Sequence, residues 1–379
     1  MKCIINGTIL LPDGEINGKI LVFNEKITGI MDEIPENAEI IDANGGYVSP
    51  GLIDVHCHGF MGMDASNASY DEVRAMSEKT VSSGVTGWLP TTMTLSWEHL
   101  GKCFEAIGVC MQDSLSDGWK GAQVLGAHAE GPFINLKKKG AQDAKWVRKP
   151  DIECLKPWKD VVKLITVAPE VDGALEFIHE AVEMGVKVSM GHTNATGDEA
   201  IKGFDAGIDH ATHTFNAMTP MSHRDIGAVG AALSDDRVYC ELIADTFHVS
   251  AQLYSLLAKA KGAKLVIITD SIQVAGLPDG VYDMSGQTVV VDGIKCRFPD
   301  GTIAGSALTM DRAVRNFRAH TNLELWKIVR LASLSPAESI GMEKTKGSLE
   351  IGKDADILIA DKDFNIQKTF VRGNCVYEG

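Results

Sequence analysis

Hydrophobic and polar positions change rhythm twice along the 379 residues. At the start, short apolar runs are cut by turn residues. Ile9-Leu10-Leu11 precedes Pro12-Asp13-Gly14, Ile20-Leu21-Val22-Phe23 precedes Asn24, and Ile40-Ile41 precedes Gly45-Gly46. The end of the chain has the same texture, with Ile357-Leu358-Ile359-Ala360 and Thr369-Phe370-Val371 split by polar turns. Such runs predict short strands. Neither end is large enough to bury a core alone, and chain termini commonly lie close together. Residues 1–49 and 346–379 are therefore expected to form one small β-sandwich domain.

Between these ends the pattern lengthens. Strands are expected at 51–57, 86–91, 122–130, 162–168, 186–191, 209–214, 239–244 and 264–269, with amphipathic stretches between them, for example Tyr70 to Ser83 and Gly173 to Met184. Eight alternating units predict an α/β fold, a (β/α)8 TIM-type barrel over residues 50–345. From 275 to 305, turns and the run Thr288-Val289-Val290-Val291 predict a β excursion after the eighth strand. Helical stretches near 309–320 and 324–333 complete the outer ring.

Composition narrows the partners. The length exceeds the ~250 residues typical of a barrel, which leaves room for the accessory domain. A 45% hydrophobic share supports a sizeable core. No apolar run reaches the ~18 residues of a membrane span, and the N-terminus lacks the apolar region of a signal peptide. The eight cysteines form no C-x-x-C pair and read as reduced thiols, so a cytoplasmic location away from membranes is expected. The net charge of −15 argues against nucleic acid. It also requires any anionic substrate to be held by local positive groups.

Chemistry concentrates where barrel strands end, the face on which such folds build their sites. In Ile53-Asp54-Val55-His56-Cys57-His58-Gly59, period two sends His56 and His58 to one side and Cys57 to the other. Strand 3 ends His128-Ala129-Glu130 and strand 5 ends at Gly191-His192. Strand 6 carries His210-Ala211-Thr212-His213, strand 7 leads to Asp245 and His248, and strand 8 ends Ile267-Ile268-Thr269-Asp270. Histidines and carboxylates without thiolates suit a divalent metal, Zn²⁺ first and Fe²⁺ next. A bound ion brings a coordinated water to a pKa of about 7, and Asp270 is placed to accept that water's proton and return it to a leaving group. His128 shares a face with Glu130 and is expected to support the ligands from behind. His99, His179, His210 and His320 read as ordinary core or surface histidines.

Gly51-Leu52-Ile53-Asp54-Val55-His56-Cys57-His58, with strand-end Glu130, His192, His213 and Asp270, resembles the amidohydrolase superfamily. Longer motifs are similar to its branch acting on N-acetyl amino-sugar 6-phosphates: His128-Ala129-Glu130-Gly131-Pro132-Phe133, Gly191-His192-Thr193, Thr212-His213-Thr214-Phe215-Asn216-Ala217-Met218 and Ala304-Gly305-Ser306-Ala307-Leu308-Thr309-Met310. Strand 4 ends Val167-Ala168-Pro169-Glu170, without the lysine that bridges two metals in many relatives. The resemblance implies that Glu130, His192 and His213 hold one ion and that His56 and His58 serve a second site, leaving one or two ions open. It implies a metal-dependent hydrolase with a small phosphorylated amino-sugar substrate. Ala141, Gln142, Asn216, Ala217, Arg224, His248, Ile303, Ala304 and Gly305 would touch that substrate, Arg224 from the other subunit of a homodimer. Asp270 and His248 would be catalytic. The gluco or galacto epimer stays open, and a metal-free scaffold is the reading from another class. Three departures fall around this pocket: Gln142 replaces histidine, Thr246 replaces glycine, and Asp225-Ile226-Gly227 replaces Glu-Pro-Gly.

Overall fold

The computed structural model describes residues 1–284, 287–301 and 303–379. Its centre is a ring of parallel strands: β1 Leu52–Cys57, β2 Val85–Thr92, β3 Ala127–Glu130, β4 Val162–Val167, β5 Lys187–Met190, β6 His210–Ala211, β7 Tyr239–Ile243 and β8 Leu265–Ile268. Each pairs in parallel with the next. The ring closes from β8 to β1 through a parallel bridge between Cys57 and Ser271, and Asp270 N–H donates to the His56 carbonyl at 2.8 Å. This is the expected TIM-type barrel. Every residue of β1 and β2 is buried, because helices cover the outside of a parallel barrel and side chains fill its inside.

Helices Tyr70–Thr80, Trp97–Asp113, Ala174–Glu183, Gly197–Ala206, Gly227–Ser234, Tyr254–Lys261, Met310–Ala319 and Leu325–Ala332 surround the strands. Their starts are legible in the sequence: Ser69 accepts from Glu72 N–H, and Thr196 and Glu199 form a reciprocal capping box. Between β3 and β4 the only α-helix among the described residues is the four-residue Ile152–Leu155, accompanied by three short 3-10 turns. Among the described residues no helix is long and apolar enough to cross a membrane.

Two expected strands are shorter than their apolar runs. The run 122–130 breaks at Gly126, whose φ is 145°, into Gln123–Val124 and Ala127–Glu130. The run 209–214 keeps its extended form only at His210–Ala211, because the chain turns left-handed at His213 (φ 29°), Phe215 (85°) and Ala217 (52°).

Both ends of the chain build a six-stranded sheet in the order Asn374–Glu378, Ile366–Val371, Ile357–Ala360, Tyr47–Pro50, Thr8–Leu11, Gly14–Ile16. A four-stranded sheet runs Ile27–Met31, Ile20–Phe23, Lys2–Ile5, Glu39–Asp42. Ile4, Ile9, Leu21, Phe23, Val48, Ile357 and Phe370 share one apolar cluster between them. After β8, Gly280–Met284, Gln287–Asp292 and Lys295–Arg297 form the expected β excursion, of which positions 285, 286 and 302 lie outside the described residues. Ile272, Val274, Val289, Val291, Cys296 and Ala304 give it its own small core.

Candidate active site

The strand ends bring the expected ligand residues to one point. Glu130, closing β3, is the hub. Its Oε1 lies 3.0 Å from His192 Nε2 and 2.9 Å from His213 Nε2, and those two nitrogens are 3.1 Å apart. Its Oε2 lies 3.4 Å from His58 Nε2. His56 Nε2 and His58 Nε2 are 3.2 Å apart, and each is 3.3 Å from Asp270 Oδ1. Two donor sets therefore share Glu130: Glu130–His192–His213 and His56–His58–Glu130.

The backbone needed for this is unusual. His192 (φ 47°), His213 (29°) and Asp270 (48°) are all left-handed, a conformation that costs a non-glycine residue ~1–3 kcal/mol and persists where surrounding structure over-determines it. Just before His192, a Cβ on Gly191 would stand 2.6 Å from Thr166 Cγ2 and 2.7 Å from Thr212 Cβ. Only glycine lets β5 turn between its neighbours there.

The donor chemistry fits a divalent cation. His192 Nδ1 faces the Lys138 carbonyl at 2.9 Å, His58 Nδ1 the Thr91 carbonyl at 3.1 Å, and His56 Nδ1 a Glu241 oxygen at 2.9 Å. Each acceptor takes the Nδ1 proton, so each Nε2 is the atom turned toward the same small space, where it could give its lone pair to a cation. Lone pairs and carboxylate oxygens at about 3 Å repel unless positive charge lies among them. Ligands on a tetrahedral Zn²⁺ at 2.0–2.2 Å sit about 3.3 Å from one another, close to the spacings here. The titration tendencies agree. Burial alone would lower His56, but Asp270, Glu241 and Glu130 outweigh it and hold the ring at about 9. His58 is held well above its ordinary value against the same burial, by Asp270 and Glu130. Burial would raise Asp270, yet His56, His58 and His213 pull it down to about 2. The constellation carries excess negative charge.

A cleft opens over this cluster. Its walls include the expected Ala141, Gln142, Asn216, Ala217, His248, Asp270, Ile303, Ala304 and Gly305, and also Met93 and Ile272, which sequence reasoning did not single out. His248 is fixed by Asp245, whose Oδ2 lies 2.6 Å from Nδ1. Arg224 is not brought to this cleft. It lies on the exposed loop 221–226, outside the lining residues of its own chain.

Other residues do more than the sequence indicated. Gln142 is a buried brace: its Nε2 donates to Glu130 Oε2, and its Oε1 accepts from Thr94 N–H at 2.6 Å. Glu170, just beyond the end of β4, accepts from Asn135, Thr193 and Asn194 and ties the loops after β3 and β5 together. Thr246 has φ 68°, which explains the glycine usual at such a place, and its N–H donates to Tyr254 Oη at 2.8 Å. His128 lies behind the ligands as expected, bonded to the Val55 carbonyl and Thr166 Oγ1 at 3.1 and 2.8 Å. His179 is exposed beside Glu183, but His210 is not an ordinary satisfied core histidine. It is fully buried, and neither ring nitrogen has a hydrogen-bond partner among the described residues. Glu241, wholly buried in β7, was not anticipated. The available signal was one acid inside the apolar run Cys240-Glu241-Leu242-Ile243.

A closed parallel barrel with a histidine–carboxylate cluster at the carboxyl ends of its strands could hold a divalent cation and suits a hydrolase. The amidohydrolase family model matches residues 47–376, and the chain belongs to that family. It is 36% identical to N-acetylglucosamine-6-phosphate deacetylase of Bacillus subtilis, over 99% of this chain and 97% of that protein. It is 33% identical to N-acetylgalactosamine-6-phosphate deacetylase of Escherichia coli O157:H7, over 96% of each. The crystal structure of N-acetylglucosamine-6-phosphate deacetylase from Pasteurella multocida superposes over the full length of both chains with a TM-score of 0.93 at 33% identity.

Proposed function

We propose that this chain hydrolyses the acetamide of N-acetyl-D-glucosamine 6-phosphate to acetate and D-glucosamine 6-phosphate, in amino-sugar catabolism and cell-wall sugar recycling. The observation that carries the reading is the convergence of Glu130, His192, His213 and Asp270 on one cleft, in a chain whose full-length relatives bear that activity in their names. Glu130, His192 and His213 are the holders of the first divalent ion, Zn²⁺ or Fe²⁺. His56 and His58 are the holders of a second. When bound, the ion polarises the acetyl carbonyl and acidifies the attacking water.

The chain's own residues do the rest. Asp270 takes a proton from the attacking water and passes it to the nitrogen, so that the C–N bond breaks to a neutral amine and acetic acid, whose remaining proton is lost to solvent to leave acetate. His248 has Nδ1 occupied by Asp245, which leaves Nε2 to donate to the acetyl oxygen when the ring carries both protons. Gln142 and Ala141 on one side, Asn216 and Ala217 opposite, and Ile303 to Gly305 above enclose the sugar. Arg224, exposed on its own chain, serves the phosphate of a neighbouring subunit in a homodimer. In this reading residues 50–345 form the catalytic domain and 1–49 with 346–379 the accessory one. The free cysteines are in keeping with a cytoplasmic enzyme.

The galactosamine epimer is the second reading, favoured by the E. coli relative at similar identity. A panel of N-acetyl sugars with and without 6-phosphate, assayed for released amine with metal-loaded protein, tests both. The highest kcat/KM is expected for N-acetylglucosamine 6-phosphate. Preference for the galacto epimer reassigns the substrate, and no turnover on any member defeats the hydrolase reading in favour of a scaffold.

A further inference from the structure

Glu241 takes no part in the reaction just described, yet it occupies an expensive position. It lies in β7 with no exposed surface, where a barrel interior ordinarily holds branched apolar side chains. Its ion-pair neighbours among the described residues are histidines alone, with no lysine or arginine to offset the buried charge. Its bonds show what it does there. Oε2 accepts from His56 Nδ1–H at 2.9 Å and from the backbone N–H of His213 at 2.9 Å.

Those two histidines belong to different donor sets. The first bond selects the His56 tautomer that turns the Nε2 lone pair toward Glu130 and Asp270. The second pins the left-handed backbone of His213, whose φ is 29°, and so aims its Nε2 at Glu130. The other oxygen, Oε1, has no hydrogen-bond partner among the described residues, and His210 Nε2 stands 4.0 Å from it. His128, stacked edge-on against His56 at 4.6 Å between centroids, has both nitrogens engaged elsewhere and does not compete for the carboxylate.

We infer that Glu241 is a positioning residue that orients one histidine of each donor set at once and so holds the two sets in register for metal. The inference rests on the metal reading given above. Glutamine at 241 could keep both bonds, because a single oxygen accepts them, so the test uses methionine, which is of similar length and removes that acceptor. Zn²⁺ affinity of metal-stripped protein, measured by competition with a chromophoric chelator, is expected to fall about 10–100-fold in Glu241→Met, the usual loss when a partner behind a ligand is removed. The melting temperature of the metal-free variant should stay within a few degrees of the metal-free parent.

Unchanged affinity and stoichiometry in the folded variant overturn the positioning role and leave the metal reading intact. A parent protein that binds no divalent ion overturns both. If the variant does not fold, the parent protein labelled with ¹⁵N-histidine decides, with His56 assigned from a His56→Gln spectrum. The metal-free ring must carry a proton on Nδ1, and a ring protonated on Nε2 alone refutes the contact with Glu241.

Discussion

Replacing Asp270 by asparagine keeps the size of the side chain and removes its capacity to carry a proton. The main chain should tolerate the change. Asp270 N–H donates to the His56 carbonyl at 2.8 Å, and φ is 48°, a region that asparagine enters as readily as aspartate. The carboxylate is aimed at the reaction centre, with Oδ1 3.3 Å from both His56 Nε2 and His58 Nε2. Loss of a general acid–base group lowers kcat by about 10²–10⁴, equivalent to about 2.7–5.5 kcal/mol of barrier. KM should change little, because the contribution is made in the transition state. Steady-state release of amine should be read beside metal content per subunit. A variant with normal metal and almost no turnover is the expected result. The 3.3 Å spacing also suits a metal ligand, and that rival separates cleanly: if Asp270→Asn purifies without metal and excess ion restores its rate, the carboxylate was a ligand. The proton carrier is then to be sought at His248. A parent-like rate with normal metal refutes both roles.

Removing metal with a chelator should abolish turnover, and added Zn²⁺ or Fe²⁺ should restore it; full activity in metal-free protein contradicts the mechanism. Glu130→Gln should lose more activity than His56→Gln, because Glu130 Oε1 meets two histidines within 3.0 Å while His56 belongs to the second set alone. Arg224→Ala should raise KM for the 6-phosphorylated sugar by about 10–150-fold, the equivalent of one charged hydrogen-bonded contact, and leave the unphosphorylated sugar unchanged; equal losses on both make Arg224 structural. Lys346 is 1% exposed and lies 2.8 Å from Asp356 and 2.9 Å from Asp354. Lys346→Met leaves buried Asp356 without its ion-pair partner, while Asp354 keeps Lys26, and should cost about 3–5 kcal/mol in denaturant unfolding at neutral pH. Burial would raise Asp354, but Lys346, helped by Lys26, outweighs it and holds the group below its ordinary 3.8. A depressed carboxylate contributes stability above 3.8 that is lost as pH falls through its folded value, so the gap between parent and variant should close in acid; a gap independent of pH refutes the pairing.

The barrel was legible because parallel strands are buried on both faces and so tend to appear as apolar runs, as β8 does in Leu265-Val266-Ile267-Ile268. The donors were legible for a related reason: at a strand end, period two sorts side chains by face, so His56 and His58 declare a common direction with no other information. What escaped depends on properties that a run of letters does not carry. The β6 run promised six strand residues, and the structure keeps two, because left-handed φ at His213 and Phe215 turns the chain without a glycine to mark the place. Glu241 escaped because its meaning lies in a partner 185 residues away. A lone acid in an apolar run looks like an anomaly until His56 Nδ1 is seen against it. Gln142 looked like a lost histidine and proved to be a brace on Glu130. The three cases share a cause. Residues that meet a ligand recur at strand ends and can be found by spacing, whereas residues that hold those donors in place are chosen by geometry across the barrel. For this site the second group decides whether the first can bind at all. Glu130 needs Gln142 and Thr94 on one side, and His56 and His213 need Glu241 on the other.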